Sequence, residues 1–295
     1  KLEDFKKSGK FVYAYANYYT QGEYYLNSVA DQVYLNPMGE VDFKGLSSEI
    51  IYMKDLQEKS GVKMEVIRHG KYKSAVEPFL AQEMSPENRE QMTVLLNSVW
   101  NTIVADISKS RKLSVAQLNA IANTLGARTP ELALANKLVD KVAYEDEYHD
   151  MIRAKLKVDK KEKYDIVSIT DYAKKASSTV EDYSKDDIIA VIYAQGEIAG
   201  GEGDVNVIGE GSIKRSLQEA RDDKDVKAIV LRVNSPGGSA LTSELIWREI
   251  EITKKVKPVV VSMGNYAASG GYYIAANADR IFAEPNTITG SIGVF

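Results

Sequence analysis

The residue of this sequence best suited to chemistry is Ser269, which has very small neighbours in the stretch Ala267–Gly271 (Ala-Ala-Ser-Gly-Gly). The β-branched run after Pro258 predicts a buried strand before it, and residues 268–279 predict a helix after it. Ser269 would stand at a strand-to-helix turn, where free N–H groups at the helix N-terminus favour an oxyanion. The pattern indicates a nucleophile, but a helix N-cap in a tight turn would use the same residues.

A second motif could complete an oxyanion hole. Gly237 and Gly238 follow the predicted strand 226–233, and a Gly-Gly pair at a strand end turns backbone N–H groups outward. Together with the N–H of Gly270 they could bind the oxygen on which negative charge develops, an effect worth about 3 kcal/mol per donor. A plain Pro-Gly turn remains the alternative for this motif.

The choice of general base is narrow, because the chain has no Cys and only two His. Lys73 has apolar neighbours, and burial would lower the pKa of its amine so that it could accept a proton near neutral pH. His69 is a rival base without an Asp nearby in sequence. The Ser291 hydroxyl could orient a neutral lysine amine. Residue type alone also allows a solvated lysine and a polar turn residue at these positions.

The composition narrows the class of function. The chain has 295 residues, of which 44% are hydrophobic and 27% charged, enough for one large core or two ordinary ones. Its formal net charge is -4 and it has no basic stripe, which argues against a nucleic-acid partner. No run reaches the roughly 18 consecutive apolar residues of a membrane span, and we expect the chain to be part of a longer protein.

Strands and helices alternate around these residues, which predicts an α/β fold with a largely parallel sheet. The predicted strands are residues 11–16, 33–35, 62–67, 188–194, 226–233 and 258–262. The predicted helices are residues 22–30, 47–59, 85–107, 114–125, 130–138, 146–156, 212–222, 240–255 and 268–279. The glycine-rich residues 196–211 predict a mobile loop, and the charged run 157–164 predicts a linker.

An internal repeat relates the two ends of the chain. Gly22–Leu26 matches Gly270–Ile274, and the same offset aligns Asp31 with Asp279. Repetition of this kind predicts parts of two related units. We expect the first unit to lack its beginning and the second to lack its end.

The repeat also places Gln21 at the position of Ser269, so the first unit has no hydroxyl there. The counterpart of Lys73 would lie beyond Phe295. One unit therefore offers the serine and the other the lysine. A single active site shared between two duplicated units would leave this pattern.

In combination, four motifs resemble the protease IV family, the long, tandem-domain form of bacterial signal peptide peptidase A. They are Arg232–Gly238, Ser262–Tyr272, Thr289–Gly293 and Tyr72–Phe79. The resemblance spans nearly the whole chain and is weakest in residues 157–187. A more distant similarity to Clp protease and to the crotonase fold agrees with an α/β core.

The resemblance implies an α/β fold of two tandem Clp protease/crotonase-like units with mainly parallel sheets plus a helical segment. Residues 1–157 would be the C-terminal part of the first repeat, which supplies Lys73, together with the helical segment. Residues 158–187 would be a linker. Residues 188–295 would be the N-terminal part of the second repeat, which supplies Ser269.

The resemblance also implies a serine endopeptidase with a Ser–Lys dyad. Ser269 would be the nucleophile and Lys73 the general base, while Ser291 would orient the lysine amine. Gly238 and Gly270 would donate to the oxyanion. No metal or other cofactor is implied.

Partners and location follow from the same resemblance. The substrates would be hydrophobic peptides, above all cleaved signal peptides left in the membrane. The protein would form a homo-oligomer, expected to be a tetramer, at the periplasmic face of the bacterial inner membrane. An anchor that is absent from this chain would attach it there, and no nucleic acid would be bound.

Two alternatives from other classes stay open. A crotonase-type acyl-CoA enzyme would reuse the oxyanion hole, but it would need a nucleotide site, for which the sequence shows no basic cluster. A non-catalytic assembly module would use Ser269 and Lys73 only for packing. The sequence also leaves open whether Lys73 meets Ser269 of its own chain or of a neighbour.

Overall fold

A computed structural model describes residues 1–177 and 187–295, which form two compact units. The first unit comprises residues 1–48 and 94–177, and the second comprises residues 49–93 and 187–295. The segment that carries Lys73 therefore packs within the same unit as Ser269.

The predicted repeat boundaries, 1–157 and 188–295, concern the ancestry of the chain rather than its packing, and they stay a prediction. Of the predicted linker 158–187, residues 178–186 lie outside the described residues.

The described residues form short and long helices interspersed with strands. In chain order these are α1 (Leu2–Lys6), β1 (Tyr13–Ala16), α2 (Gln21–Asn27), β2 (Gln32–Leu35), α3 (Lys54–Ser60), α4 (Glu77–Leu80), α5 (Pro86–Arg111), α6 (Val115–Asn123), α7 (Pro130–Ala135), β3 (Lys141–Val142), α8 (Glu145–Leu156), α9 (Ile169–Ser177), β4 (Ile188–Gln195), β5 (Glu197–Ile198), β6 (Val207–Ile208), α10 (Glu210–Asp222), β7 (Val226–Ser235), α11 (Ala240–Lys254), β8 (Val259–Ala268), α12 (Gly270–Ala276), β9 (Arg280–Phe282) and β10 (Ile288–Gly290).

The first unit is built on a parallel sheet with the strand order β1-β2-β3. Helix α2 begins with a capping box, in which Thr20 and Glu23 satisfy each other's backbone N–H groups. The buried Tyr24 hydroxyl donates to the Leu138 carbonyl at 2.8 Å, so the polar end of this core side chain keeps a partner.

The second unit is built on a larger parallel sheet with the strand order β10-β8-β7-β4, and β9 also pairs with β8. Parallel neighbours need crossover connections, and α11 provides one between β7 and β8. Alternate residues of β7, from Ile229 to Ser235, are buried. The apolar ones, Ile229, Leu231 and Val233, share a core with residues of α10, α11 and α12. The predicted α/β fold with mainly parallel sheets is confirmed.

Strand β8 changes its neighbour halfway along. Its first half, at Val260–Ser262, pairs with β9, and its last residues, Tyr266–Ala268, pair with β10. The register with β7 shifts between these halves, because Val233 pairs with Met263 and Ser235 pairs with Ala267. The bulge of β8 therefore lies just before Ser269.

The two predicted repeats contain the same local contact, after α2 in the first and after α12 in the second. In the first unit, Asp31 exchanges two hydrogen bonds of 2.8 Å with the backbone of Val12. In the second unit, Asp279 makes the same pair of 2.8 Å bonds with Val259. This likeness agrees with the predicted repeat, which remains a prediction.

Three local predictions were wrong. Residues 62–67 form no strand and are mostly exposed, because period-two alternation makes a strand only where a neighbour accepts its hydrogen bonds. The helix predicted from residue 47 begins only at Lys54, after the helix-unfavourable pair Ile50–Ile51. Residues 196–211 are not simply a loop, since they contain β5, β6 and the start of α10.

Candidate active site

Ser269 lies at the turn between β8 and α12, as its sequence context predicts. Its φ is +52° and its ψ is −119°, a conformation that costs free energy for any residue with a side chain. The Ser269 N–H donates to the Gly290 carbonyl at 2.8 Å. Its hydroxyl makes no capping hydrogen bond to α12. The N-cap alternative therefore does not explain the serine, because its side chain accepts no hydrogen bond from the N–H groups of α12.

The Lys73 amine reaches this hydroxyl. Its Nζ is 3.2 Å from Ser269 Oγ, 2.8 Å from the Ser291 carbonyl oxygen and 3.1 Å from Ser291 Oγ. Lys73 is only 7% exposed. Burial lowers the pKa of this lysine below its ordinary value, since desolvation disfavours the ammonium form.

Ser291 comes directly after β10 and also has a positive φ, of +55°. Strand β10 is held beside β8 by its main chain and by Thr289, whose hydroxyl donates to the Ala267 carbonyl at 2.7 Å. This places both oxygens of Ser291 near the lysine. The rival base His69 is exposed, and the side chain that contacts Ser269 is that of Lys73.

The Gly-Gly pair lies beside the serine. Gly237 and Gly238 have φ values of +107° and +151°, which glycine adopts without steric cost. The Ile198 N–H donates to the Gly237 carbonyl at 2.9 Å, and the Ser239 N–H donates to the Ile198 carbonyl at 2.8 Å. Neither of these two hydrogen bonds uses the N–H of Gly238.

The two predicted oxyanion donors are close together. A Cβ built on Gly270 would lie 3.3 Å from the Gly238 nitrogen. Within residues 1–177 and 187–295, neither the Gly238 nor the Gly270 N–H donates a hydrogen bond. Both are therefore available to an oxygen placed near Ser269 Oγ. Lys73, Ser269, Ser291, Gly238 and Gly270 thus all lie at one site of the second unit.

An apolar cavity of about 280 Å³ adjoins Ser269 and Gly238. Its other lining includes Ala240, Tyr272, Ala276, Ile292 and Val294. A larger cavity of about 870 Å³ lies along β4 and α10, and none of the five predicted site residues lines it. Of these two cavities, the smaller one adjoins the predicted site residues.

Some residues that build the site were not predicted. Ile198 falls in the glycine-rich stretch, yet it is 1% exposed and holds the Gly-Gly turn through its main chain. Asn234 accepts hydrogen bonds from the N–H groups of Asn265 and Tyr266 at 3.1 Å each, across the bulge of β8. Its place in the motif Asn-Ser-Pro-Gly-Gly was the available signal.

Several known proteins are similar in sequence to this chain. A model of Peptidase family S49 matches residues 4–159 and 251–295. Protease 4 of Haemophilus influenzae is 41% identical over 306 residues, which cover 100% of this chain and 49% of that protein. Protease 4 of Salmonella typhi is 41% identical over 303 residues, which cover 100% of this chain and 48% of that protein.

A plant relative is similar over the same length. The chloroplastic serine protease SPPA of Arabidopsis thaliana is 35% identical over 295 residues, which cover 99% of this chain and 43% of that protein. The chain thus spans about half the length of the curated relatives it matches.

Proposed function

Because this chain belongs to peptidase family S49, we propose that it acts as a serine endopeptidase with a Ser–Lys dyad. The observation that carries the proposal is the 3.2 Å separation between the buried Lys73 amine and the Ser269 hydroxyl. A serine needs an adjacent base, and a lysine can be that base only when its amine is neutral. Burial of Lys73 favours the neutral amine.

In the proposed reaction, Ser269 Oγ attacks the carbonyl carbon of the substrate while its proton passes to the neutral Lys73 amine. The resulting ammonium donates that proton to the leaving amine as the C–N bond breaks, which leaves an acyl group on Ser269. Water then attacks the ester and gives its proton to Lys73. As the C–O bond to Ser269 breaks, the Lys73 ammonium returns that proton to Ser269 Oγ, and the acid is released. The N–H groups of Gly238 and Gly270 stabilise the oxyanion in both steps.

Ser291 would orient the base. In the neutral amine, two N–H bonds can donate to the Ser291 carbonyl and hydroxyl oxygens, 2.8 and 3.1 Å away. The single lone pair of Nζ is then directed toward the Ser269 hydroxyl. The lysine would accept a proton only from the nucleophile, or from the water that replaces it.

The proposed substrates are hydrophobic peptides, including signal peptides after their removal from secreted proteins. The apolar cavity beside Ser269 supports this class. By the same family resemblance, we propose a homo-oligomer, a tetramer, attached to the periplasmic face of the bacterial inner membrane. Among the helices of the described residues, none has both the length and the apolar character needed to cross a bilayer.

Cleavage of fluorogenic hydrophobic peptides by the purified chain tests the dyad. Ser269→Ala and Lys73→Ala should each lower kcat by at least about 10³-fold, since the two groups act as a unit. Lys71→Ala is the matched control, because this exposed lysine lies two residues away and should leave cleavage intact. Unchanged cleavage in either dyad variant would overturn the dyad, whereas no cleavage by the unaltered chain would favour the acyl-CoA or assembly alternatives.

A further inference from the structure

A buried carboxylate, Glu77, lies four residues after Lys73 and has no part in the proposed reaction. It is 3% exposed, and it accepts hydrogen bonds from Asn88 Nδ2 at 2.6 Å, the Ser85 N–H at 3.2 Å and the Tyr52 hydroxyl at 3.3 Å. Desolvation raises its pKa, but these hydrogen bonds outweigh it and hold the pKa of Glu77 below its ordinary value. The site therefore contains an ionised carboxylate whose partners replace water.

The Asn88 amide connects this carboxylate to the residue beside the lysine. Asn88 is 2% exposed, and its Oδ1 accepts from the Ser74 hydroxyl at 2.9 Å. Gln91 Nε2 donates to Ser74 Oγ at 2.7 Å and to Asn88 Oδ1 at 3.0 Å. Since an ionised Glu77 can only accept, the amide nitrogen of Asn88 must face it and the amide oxygen must face Ser74. We call Ser74, Glu77, Asn88 and Gln91 the Asn88 network.

The other ties between the Lys73 loop and helix α5 are exposed. Lys71 Nζ lies 3.2 Å from Glu87, and its side chain is 79% exposed. The Tyr72 hydroxyl donates to Glu90 at 2.8 Å, and Tyr72 is 53% exposed. Exposed pairs of this kind contribute little to holding a loop, because water and salt compete for them. The buried tie is the one that can hold the loop in a single position.

We propose that the Asn88 network is the positioning device that holds Lys73 against Ser269. The loop from residue 70 to 74 contains no helix or strand, so no ladder of main-chain hydrogen bonds places the lysine, although the Glu77 N–H donates to the Ser74 carbonyl at 2.9 Å in the turn that follows. A shift of about 1 Å in a reacting group can cost roughly 10²-fold in rate. The network does not touch Ser269, so its members are positioning residues. This inference rests on the proposed function, because it assumes that Lys73 is the base.

The test compares Ser74→Ala and Asn88→Ala with the unaltered full chain. Peptide cleavage gives kcat and KM, and competitive labelling with acetic anhydride, read by mass spectrometry, gives the pKa of Lys73 itself. Both variants should lower kcat about 10- to 100-fold with KM unchanged. The labelling pKa of Lys73 should rise toward that of an ordinary lysine, because a released amine becomes solvated. Ser74→Thr keeps the hydroxyl and should restore both values.

Tyr72→Phe is the matched control, since it removes an exposed tie between the same loop and the same helix. It should leave kcat and the labelling pKa unchanged. If Asn88→Ala does not fold, Ser74→Ala decides, because it deletes one hydroxyl. Wild-type kcat and wild-type labelling in Ser74→Ala, or an equal loss in Tyr72→Phe, would overturn the inference.

The labelling readout needs no peptidase activity. Retained cleavage in Ser269→Ala would overturn the proposed function and still leave the pKa of Lys73 measurable in every variant. Failure of the Asn88 network to position the lysine and failure of the dyad are therefore separate results.

Discussion

Single residues of the site adopt backbone conformations that most of the chain avoids. Ser269 and Ser291 have φ values of +52° and +55°, although both carry side chains, and Gly238 has a φ of +151°. Conformations of this kind persist only where the surrounding contacts impose them. At this site the contacts are main-chain bonds, such as that from the Ser269 N–H to the Gly290 carbonyl at 2.8 Å. The side chains and N–H groups of the site are therefore held before a substrate arrives.

The pH dependence of cleavage should report the Lys73 amine. Its pKa is lowered by burial, so kcat/KM should rise with pH through a value below the ordinary lysine pKa of about 10.4. Activity is lost as the pH falls through that pKa, because an ammonium cannot accept the proton of Ser269. Lys73→Arg should be inactive at every pH, since a guanidinium stays protonated. A rising limb that persists in Lys73→Arg would assign the base to another group.

Gly238→Ala should damage the oxyanion hole. A Cβ at this position would lie 2.1 Å from the Ile198 carbonyl oxygen, and the φ of +151° also disfavours a side chain. Moving the Gly238 N–H should lower kcat by about 10²-fold or more with little change in KM. Gly200→Ala is the control, because the atom nearest to its new Cβ, Thr242 Oγ1, is 3.9 Å away. Steady-state kinetics of both variants test the role of the Gly238 N–H. A wild-type kcat in Gly238→Ala would contradict it.

Among the elements, strand β8 pairs with two different strands on one of its edges. It must pair with β9 at its beginning and with β10 at its end, and it bulges between these halves opposite Asn234. The Asn234 side-chain oxygen replaces the main-chain acceptor that the bulge removes. The Asn234 side chain of β7 therefore supports the part of β8 that leads to Ser269.

Asn234→Ala should replace the side-chain acceptor of two N–H groups of the bulge by water. We expect a loss of about 1–3 kcal/mol in the free energy of unfolding, together with a lower kcat. Asn234→Asp should keep most of the stability, because both bonds are accepted by Oδ1 and a carboxylate can accept them as well. Chemical denaturation of the two variants measures the difference. Equal stability of Asn234→Ala and the wild type would show that the bulge does not need the side chain.

Elements with strong local patterns were predictable from the sequence. The apolar runs at 226–233 and 258–262 became β7 and β8, and the Ser85-Pro86 signal became the start of α5. Residues 62–67 alternate between apolar and polar side chains but form no strand, because pairing depends on a neighbour that a local pattern cannot supply. The short strands β5 and β6 were not predicted for the opposite reason. They pair with each other although the sequence around them is rich in glycine.

The five predicted site residues lie together in the structure. They could be selected from the sequence because a serine among small residues, a lysine among apolar residues and a Gly-Gly pair each indicate a particular chemistry. Their supports have none. Asn88 acts through residues 11 and 14 positions away, and its importance comes from burial and from the direction of its amide. Such contacts depend on tertiary packing, which periodicity and composition do not report.

At the scale of the whole molecule, the two residues of the proposed dyad come from distant parts of one chain. Lys73 and Ser269 are 196 residues apart in sequence. They meet because residues 49–93 pack within the compact unit that also contains residues 187–295. Sequence left open whether the lysine comes from the same chain, and the structure of this single chain brings both groups together without a second copy.

The last prediction follows from this arrangement and concerns mixed oligomers. Ser269→Ala and Lys73→Ala, co-expressed with different tags and purified through both, should show no more cleavage than either variant alone. Each chain would then lack one half of its own dyad, and no pairing of chains could restore a complete site. Wild type co-purified with Ser269→Ala should keep its activity per wild-type chain, which controls for damage caused by mixing. Recovery of cleavage in the mixture of the two inactive variants would place the lysine and the serine of one site on different chains.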